Sequence, residues 1–284
     1  PRPARIDAQG AFQHIMVRGI ERRQIFHDDS DRDAFVERLG RILKESATPC
    51  YGWTLMPNHV HLLLRTGQVS MATVMRRLLT GYAVTFNRRH RRHGQLFQNR
   101  YKSILCQQEP YLLELVRYVH LNPLRGKLVR DLGELGHYPY AGHSVLMGKQ
   151  KHAWQETGVV LGQFDRRVGD ARRAYRAFVE AGIPLGRKPE LVGGGLIRSL
   201  GGWRAVRALG KAAARLKGDE RILGDSEFVL DVLEASAEHL RRQDRLQRQG
   251  CDLDRLARQV ATVFGLAPAD IYRTGKRPPL VAAR

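Results

Sequence analysis

Two histidines separated by one residue are the first feature of the sequence that could do chemistry. His59, Val60 and His61 follow a Pro-Asn pair and begin an apolar run. Side chains two apart on a β-strand project from the same face, so both imidazoles could bind one metal ion while Val60 points into the core. The spacing predicts a metal site, although two unrelated surface histidines would give the same pattern.

A tyrosine and an asparagine four residues apart form the second feature. Tyr118 and Asn122 lie in a segment with helical patterning, and residues four apart share one face of a helix. Asn122 could therefore supply a metal-binding oxygen where Tyr118 points, whereas His120 falls on another face. The alternative is a buried structural tyrosine followed by an Asn-Pro helix stop.

Together these residues fit one reaction, the attack of a tyrosine on a phosphodiester. A phenol is a poor nucleophile at neutral pH unless its phenolate or the transition state is stabilised. A divalent metal held by His59, His61 and Asn122 could orient the phosphate for in-line attack by Tyr118. The phosphotyrosine would keep the energy of the broken bond, so rejoining would need no ATP. The sequence accordingly has no GxxxxGK[ST] loop.

The charge of the chain indicates a polyanionic partner. The net charge is +20 over 284 residues, and no Asp or Glu occurs between Ser46 and Gln108. The basic residues of that stretch are Arg65, Arg76, Arg77, Arg88, Arg89, Arg91, Arg92, Arg100 and Lys102. This bias favours a face that follows a phosphate backbone. A solvated basic surface without a specific ligand is the alternative.

The elements that would position these residues occur in the order β-α-β-β-α-β-α. Strands are predicted at residues 11–17, 50–56, 59–65 and 101–106, and helices at 28–44, 71–89 and 111–121. This order is typical of the split βαβ, ferredoxin-like fold. It predicts an α+β protein with an antiparallel sheet, helices on one face, one extra helix and an all-α C-terminal region.

Three regions are predicted along the chain: a catalytic domain at 1–150, a helical extension and linker at 151–195, and a helical domain at 196–284. In the last region, helices are predicted at 203–216, 225–248 and 253–264, followed by a turn at Gly265 and a helix at 268–272. This arrangement favours a helix-turn-helix reader of duplex DNA. A helical bundle used for packing is the alternative. A further helix is expected after Arg284, which points to a truncated C-terminus.

Export, a membrane span and a disulfide framework are not expected. No apolar run approaches the roughly 20 residues of a membrane helix, and no export signal is recognisable, so a cytoplasmic protein is predicted. Cys50, Cys106 and Cys251 contain no CxxC pair, which argues against disulfides and against a zinc knuckle.

Several motifs in a fixed order resemble the HUH single-tyrosine transposases, and among them the REP-associated tyrosine transposases. The resemblance extends over roughly residues 12–144. Its motifs are Arg18-Gly19 with Gln24-Ile25-Phe26 downstream, Met56-Pro57-Asn58-His59-Val60-His61-Leu62-Leu63-Leu64, Phe97-Gln98-Asn99-Arg100-Tyr101-Lys102 and Tyr118-Val119-His120-Leu121-Asn122-Pro123-Leu124-Arg125.

The resemblance implies a ferredoxin-like domain that binds Mg²⁺ or Mn²⁺ at the two histidines and cleaves single-stranded DNA at imperfect hairpins. It makes Tyr118 the nucleophile of a 5′-phosphotyrosine and places Asn122 at the third ligand position, where insertion-sequence relatives often carry Gln. This difference leaves the choice of metal open. Tyr111, on a similar helix face, is the second candidate nucleophile.

The expected DNA contacts are basic residues near the ends of the strands and helices. They are Arg18, Arg65, Arg88, Arg100 and Lys102. Residues 252–284 resemble the C-terminal DNA-binding domain of the replication initiator DnaA, which would add duplex DNA as a partner. Insertion-sequence members act as dimers and the REP-associated group need not, so the resemblance leaves the oligomeric state open.

Three functions compete at this point. A metal-dependent tyrosine nuclease and strand transferase accounts for both histidines, Tyr118 and Asn122 at once. A non-catalytic DNA-binding regulator derived from a transposase would not need them. A phosphodiesterase that activates water, with Tyr118 merely structural, would lack carboxylate ligands and bases in the stretch from Ser46 to Gln108.

Overall fold

A five-stranded sheet lies at the centre of the computed structural model, which describes residues 6, 9–186, 188, 191, 219, 221–248 and 253–267. The strands are β1 (Phe12–Arg18), β2 (Cys50–Met56), β3 (His59–Arg65), β4 (Lys102–Cys106) and β5 (Ile222–Leu223). The longer helices are α1 (Asp29–Glu45), α2 (Met71–Arg89), α3 (Gln108–His120), α8 (Val168–Glu180), α9 (Ser226–Arg248) and α10 (Leu253–Phe264). Shorter helices are α4 (Asn122–Arg125), α5 (Leu132–His137), α6 (Gly142–Leu146) and α7 (Thr157–Leu161).

The strand order is β2-β3-β1-β4-β5. β1 is antiparallel to both β3 and β4, and β2 is antiparallel to β3. These four strands confirm the predicted ferredoxin-like arrangement. β5 pairs in parallel with the outer edge of β4, so the complete sheet is mixed and not wholly antiparallel. A two-residue strand lacks the alternation that a sequence pattern needs, and β5 was not predicted.

The two faces of the sheet pack against different helices. Ile15 of β1 and Val60 of β3 belong to a core that contains the buried residues of α1 and α2. Leu63 of β3 belongs to a second core with the buried residues of α3. The two crossover helices therefore share one face, as expected, and the extra helix covers the opposite face. Successive side chains of a strand point to opposite faces of the sheet, so every second residue of β1 and β3 lies on the face that α3 covers.

Local sequence signals explain where the main helices begin. The Asp28 side chain accepts a hydrogen bond from the Asp31 amide at 3.1 Å and caps α1, and Ser70 caps α2 in the same way through the Thr73 amide at 3.3 Å. α3 ends at His120, just before the Asn122-Pro123 pair that was predicted to stop it. The pair itself begins the short helix α4, because proline is well tolerated in the first turn.

The aromatic segment after α5, residues 138–140, packs back onto the sheet. The Leu55 amide donates to the Tyr140 carbonyl at 2.8 Å, and the Tyr138 hydroxyl donates to the Leu55 carbonyl at 3.1 Å. The helices around this segment, α5, α6 and α7, are too short to show a helical period in the sequence.

The described residues group into two compact units, Pro1–Leu230 and Asp231–Arg284. In the first unit, Val160 of α7 and Tyr175 of α8 are buried in the same core as α3, so the predicted extension packs as part of that unit. In the second unit, Ala257 and Ala261 of α10 are buried. The helices predicted at 203–216 and 268–272 lie outside the described residues, and the domain boundaries stay predictions. None of the described helices is long and apolar enough to span a bilayer.

Two buried histidines share one tyrosine hydroxyl and tie α8 to α3 and α6. Nδ1 of His120 and Nδ1 of His143 each lie 2.8 Å from the Tyr175 hydroxyl. Burial, and then Arg176, lowers the pKa of His143 to about 4. Burial, with His143 nearby, holds the pKa of His120 well below its usual range. Both imidazoles are therefore neutral in the folded protein at neutral pH.

We expect the free energy of unfolding to fall as the pH is lowered from about 6.5 towards about 4. In this interval the unfolded chain protonates His120 and His143 while the folded protein does not, so protons favour unfolding. Each histidine contributes at most ~1.4 kcal/mol per pH unit. Urea unfolding at several pH values measures the slope. His143→Gln should reduce the slope, and the exposed His137→Ala should not. A flat profile would contradict the expectation.

Candidate active site

The two histidines of the first motif lie side by side on the face of the sheet that α3 covers. The ring centroids of His59 and His61 are 5.1 Å apart. On β1, Arg18 is paired with His59 and Met16 with His61, so these side chains share that face. His61 is 5% exposed, and Nδ1 of His59 lies 2.6 Å from the side-chain oxygen of Asn58.

Tyr118 of α3 lies directly against the histidine face. Its ring centroid is 5.9 Å from that of His61 and 6.0 Å from that of His14. Asn122, one turn further on, donates its amide hydrogens to the carbonyls of Tyr118 at 3.1 Å and Val119 at 3.2 Å. These bonds fix the amide group at the end of α3, and its side-chain oxygen is the atom that could bind a metal.

Burial keeps both histidines of the motif neutral. Burial, and then the charge of Arg18, lowers the pKa of His59 to about 4. Burial, with His14, His59 and Arg18 as neighbours, holds the pKa of His61 well below its usual range. A neutral imidazole has a free lone pair, and a metal ion binds only that form. Two neutral imidazoles with an amide oxygen are a donor set that fits a divalent cation.

Two further residues at this site were not assigned a role from the sequence. His14 of β1 is fully buried, and its Nε2 lies 2.9 Å from Nδ1 of His61. Arg125 of α4 has its guanidinium carbon 5.6 Å from the centroid of the Tyr118 ring. Within the described residues, Nε and Nη1 of Arg125 are buried and have no hydrogen-bond partner. A buried cation with unused donors beside a tyrosine is suited to bind an anion.

The five predicted DNA contacts fall in different places. Arg18 lies beside His59, and Lys102 is paired with Met16 in the row that contains His61, so both are on the histidine face. Both are exposed, as is Arg100 just before β4. Arg88 is exposed on α2, whose buried residues pack on the opposite face.

Arg65 is a predicted contact whose side chain the protein itself engages. It lies at the far end of β3, roughly 20 Å from His59 at ~3.3 Å per residue. Its guanidinium donates to the Gln108 side chain and lies over the Tyr51 ring at 5.4 Å. The structure therefore does not bring Arg65 to the histidine site.

Tyr111, the second candidate nucleophile, lies at the other end of α3. Seven residues separate it from Tyr118, roughly 10 Å along the helix axis at ~1.5 Å per residue. Burial, and then the charge of Asp225, raises the pKa of its phenol. A phenol that is harder to ionise is a weaker nucleophile. The structure thus places Tyr118, and not Tyr111, against His61.

A second histidine cluster lies between α1 and α2. Candidate ligand atoms of His27, Asp31 and His90 all lie within 4.8 Å of one another. The Asp31 carboxylate already accepts hydrogen bonds from the His27 amide at 2.8 Å and from Nε2 of His90 at 2.9 Å, and it pairs with Arg89. A cation here would have to compete with the Arg89 guanidinium. The cluster was not predicted, because its residues are separated in the sequence.

Comparison with known proteins finds a family model that matches the part of the chain containing most of this site. A family model described as "Transposase IS200 like" matches residues 9–122. That stretch runs from just before β1 to the start of α4 and includes His59, His61, Tyr118 and Asn122. No curated protein matches the sequence significantly.

Two solved structures match this chain at low sequence identity and low TM-score. The first is a REP-associated tyrosine transposase bound to a REP hairpin, with 14% identity and a TM-score of 0.43 over 54% of this chain and 90% of that chain. The second is a candidate transposase from Deinococcus radiodurans R1, with 18% identity and a TM-score of 0.30 over 40% of this chain and 93% of that chain.

The family match covers one part of the chain. Residues 9–122, less than half of the chain, are similar to the IS200-like transposases, in agreement with the resemblance inferred from the motifs. This similarity supports a transposase-type function. The resemblance of residues 252–284 to DnaA stays a prediction, since residues 268–284 lie outside the described residues.

Proposed function

We propose that this protein is a single-stranded DNA endonuclease and strand transferase that forms a 5′-phosphotyrosine through Tyr118 at hairpin, REP-like DNA. The observation that carries the proposal is the position of the Tyr118 ring, 5.9 Å from the ring of His61 on the same face as His59. The same face presents Arg18 and Lys102. These basic side chains can hold a DNA backbone across the site.

The reaction is a transesterification, in which the tyrosine oxygen replaces the 3′-oxygen on phosphorus. The phenol oxygen of Tyr118 loses its proton and bonds to phosphorus, and the bond from phosphorus to the 3′-oxygen breaks. The departing oxygen takes a proton and becomes a free 3′-hydroxyl. Attack by the 3′-hydroxyl of another strand reverses the step and joins DNA at a new place. No nucleotide cofactor is consumed.

The residues around Tyr118 supply the electrostatics of this step. Arg125, whose buried Nε and Nη1 have no hydrogen-bond partner among the described residues, would stabilise the phenolate and the phosphate charge. His59, His61 and the Asn122 oxygen would hold Mg²⁺ or Mn²⁺, which when bound polarises the phosphate and orients it in line. His59 and His61 are poised to do so because burial keeps them neutral.

End-labelled DNA tests both the cleavage and its polarity. The full chain is incubated with Mn²⁺ and a REP-like hairpin that has a single-stranded flank, and the products are separated on denaturing gels. With a 3′ label, the proposal predicts a radioactive band at protein size. With a 5′ label, it predicts a short free fragment ending in a 3′-hydroxyl. Addition of EDTA should remove both products.

Other products would support the competing functions. Two free fragments with no adduct would indicate attack by water. Tight binding of the hairpin without cleavage, with either metal, would favour a non-catalytic DNA-binding regulator. An adduct that carries the 5′ label would reverse the proposed polarity.

A further inference from the structure

The buried histidine of β1 lies in a hydrogen-bonded chain that leads to a proposed metal ligand. We infer that His14 is a positioning residue that fixes which nitrogen of His61 carries the proton, and that the backbone carbonyl of Leu191 fixes His14 in turn. The inference rests on the proposed function in that it takes His61 to be a metal ligand.

Three groups form this chain in a line. Nδ1 of His14 lies 3.3 Å from the carbonyl oxygen of Leu191. Nε2 of His14 lies 2.9 Å from Nδ1 of His61. The ring centroids are 5.2 Å apart and the ring planes differ by 27°. His14 is fully buried, and Leu191 is 3% exposed.

The positions of the protons follow from what each atom can do. A carbonyl oxygen only accepts, so Nδ1 of His14 must carry a hydrogen and donate it to Leu191. In a neutral ring the other nitrogen, Nε2, is then an acceptor. Nδ1 of His61 must therefore be the donor towards His14. This leaves the lone pair of His61 on Nε2, the nitrogen that remains to bind a metal.

Without this chain the His61 ring would carry its proton elsewhere. The imidazole of histidine in water prefers the tautomer with hydrogen on Nε2, and that tautomer cannot bind a metal through Nε2. Groups that hold a ligating histidine in its binding tautomer typically account for about 10- to 100-fold in metal affinity. His14 would thus contribute to metal binding although the inference places no His14 atom on the metal.

The Leu191 carbonyl comes from a part of the chain far from the histidine motif. The Leu191 side chain is buried in the core that also contains α3, and this burial holds the carbonyl against His14. Residue 191 lies 130 positions after His61 in the sequence (191 − 61). The sequence after the catalytic domain therefore contributes a backbone atom to the organisation of the metal site.

Nuclear magnetic resonance of the metal-free full chain tests the inference directly. With ¹⁵N-labelled histidine, long-range proton-nitrogen correlations show which ring nitrogen is protonated. We expect hydrogen on Nδ1 of both His14 and His61 at neutral pH. Hydrogen on Nε2 of His61 in the wild type would overturn the inference, and this measurement needs no variant.

Two substitutions at position 14 separate the hydrogen bond from the packing. Phenylalanine in His14→Phe fills the space but accepts no hydrogen bond, so the His61 proton should move to Nε2 and the affinity for Mn²⁺ should fall at least about tenfold. Glutamine in His14→Gln offers a side-chain oxygen near the former Nε2. It should restore the proton to Nδ1 of His61 and restore the affinity for Mn²⁺. Met16→Leu, on the same face of β1, is the packing control. It should leave the His61 tautomer and the Mn²⁺ affinity unchanged. Wild-type Mn²⁺ affinity in a folded His14→Phe variant would contradict the inference.

Neither measurement depends on DNA cleavage. A protein that shows the expected tautomers and Mn²⁺ affinities but forms no covalent adduct would disprove the proposed function and leave the role of His14 intact. A protein that forms the adduct with His61 protonated on Nε2 would support the proposed function and disprove the role of His14.

Discussion

Replacement of Tyr118 by phenylalanine is expected to abolish the covalent protein–DNA adduct, a loss of at least about 10⁴-fold in the rate of its formation. Losses of this order or more follow removal of a nucleophile from an enzyme. The phenol oxygen is the atom that would bond to phosphorus, and nothing else in phenylalanine can replace it. The ring would still pack against His14 and His61. Fold, metal binding and hairpin binding should therefore survive, which thermal unfolding and gel-shift assays can verify.

Tyr111→Phe is the matched control for this experiment. It removes the same hydroxyl from the same helix, seven residues earlier, where the ring lies near Asp225 and away from the two histidines. We expect adduct formation within about twofold of the wild type, since the Tyr111 hydroxyl lies roughly 10 Å along the helix axis from the proposed nucleophile. Loss of the adduct in Tyr111→Phe but not in Tyr118→Phe would identify Tyr111 as the nucleophile. Cleavage that survives in both variants would point to water.

Much of this fold could be predicted because its signals are local. The hairpin of β2 and β3 begins and ends at the predicted residues, since Pro57-Asn58 separates two apolar runs of strand length. The bounds of α2 also agree with the prediction, because the Ser70 cap marks its start. The shared face of His59 and His61 follows from the two-residue period of a strand. A prediction from spacing succeeds where the relevant neighbours are close in sequence.

The remaining part of the site depends on contacts between distant residues. His14 is 47 residues from His61, and only the register of β1 against β3 brings them together. The Leu191 carbonyl is 177 residues from His14. Alternation on β1, with His14, Met16 and Arg18 on one face, could have indicated that His14 faces the metal site once β1 was placed beside β3. No pattern in the sequence could have placed Leu191 there.

Charge alone also could not distinguish among the basic residues. Arg65 and Lys102 both belong to the stretch without acids, yet Arg65 is engaged by Gln108 and Tyr51 while Lys102 is exposed on the histidine face. The difference arises from position along a strand and from strand order. A long basic stretch therefore indicates the kind of partner but does not identify the contacts.

Replacement of His59 by alanine is expected to weaken Mn²⁺ binding and to slow adduct formation by about 10³-fold at low metal concentration. A metal contributes several kcal/mol to the stabilisation of a phosphoryl transition state, and ~4 kcal/mol corresponds to that factor. His59 is a better choice than His61 because it is only partly buried. Its removal therefore costs less folding free energy. Titration with Mn²⁺ gives the metal affinity, and single-turnover cleavage of the labelled hairpin gives the rate of adduct formation.

The second histidine cluster provides the control that makes this result decisive. His90→Ala removes an imidazole from the group formed by His27, Asp31 and His90, on the other face of the sheet from Tyr118. If the metal acts at His59 and His61, His90→Ala should leave the cleavage rate and its dependence on Mn²⁺ unchanged. Loss of cleavage in His90→Ala, with normal cleavage in His59→Ala, would place the metal site at that cluster.

Excess Mn²⁺ should partly restore the cleavage rate of His59→Ala, because one ligand is missing from a site that keeps the others. The same excess should not restore Tyr118→Phe, because that variant lacks the attacking atom.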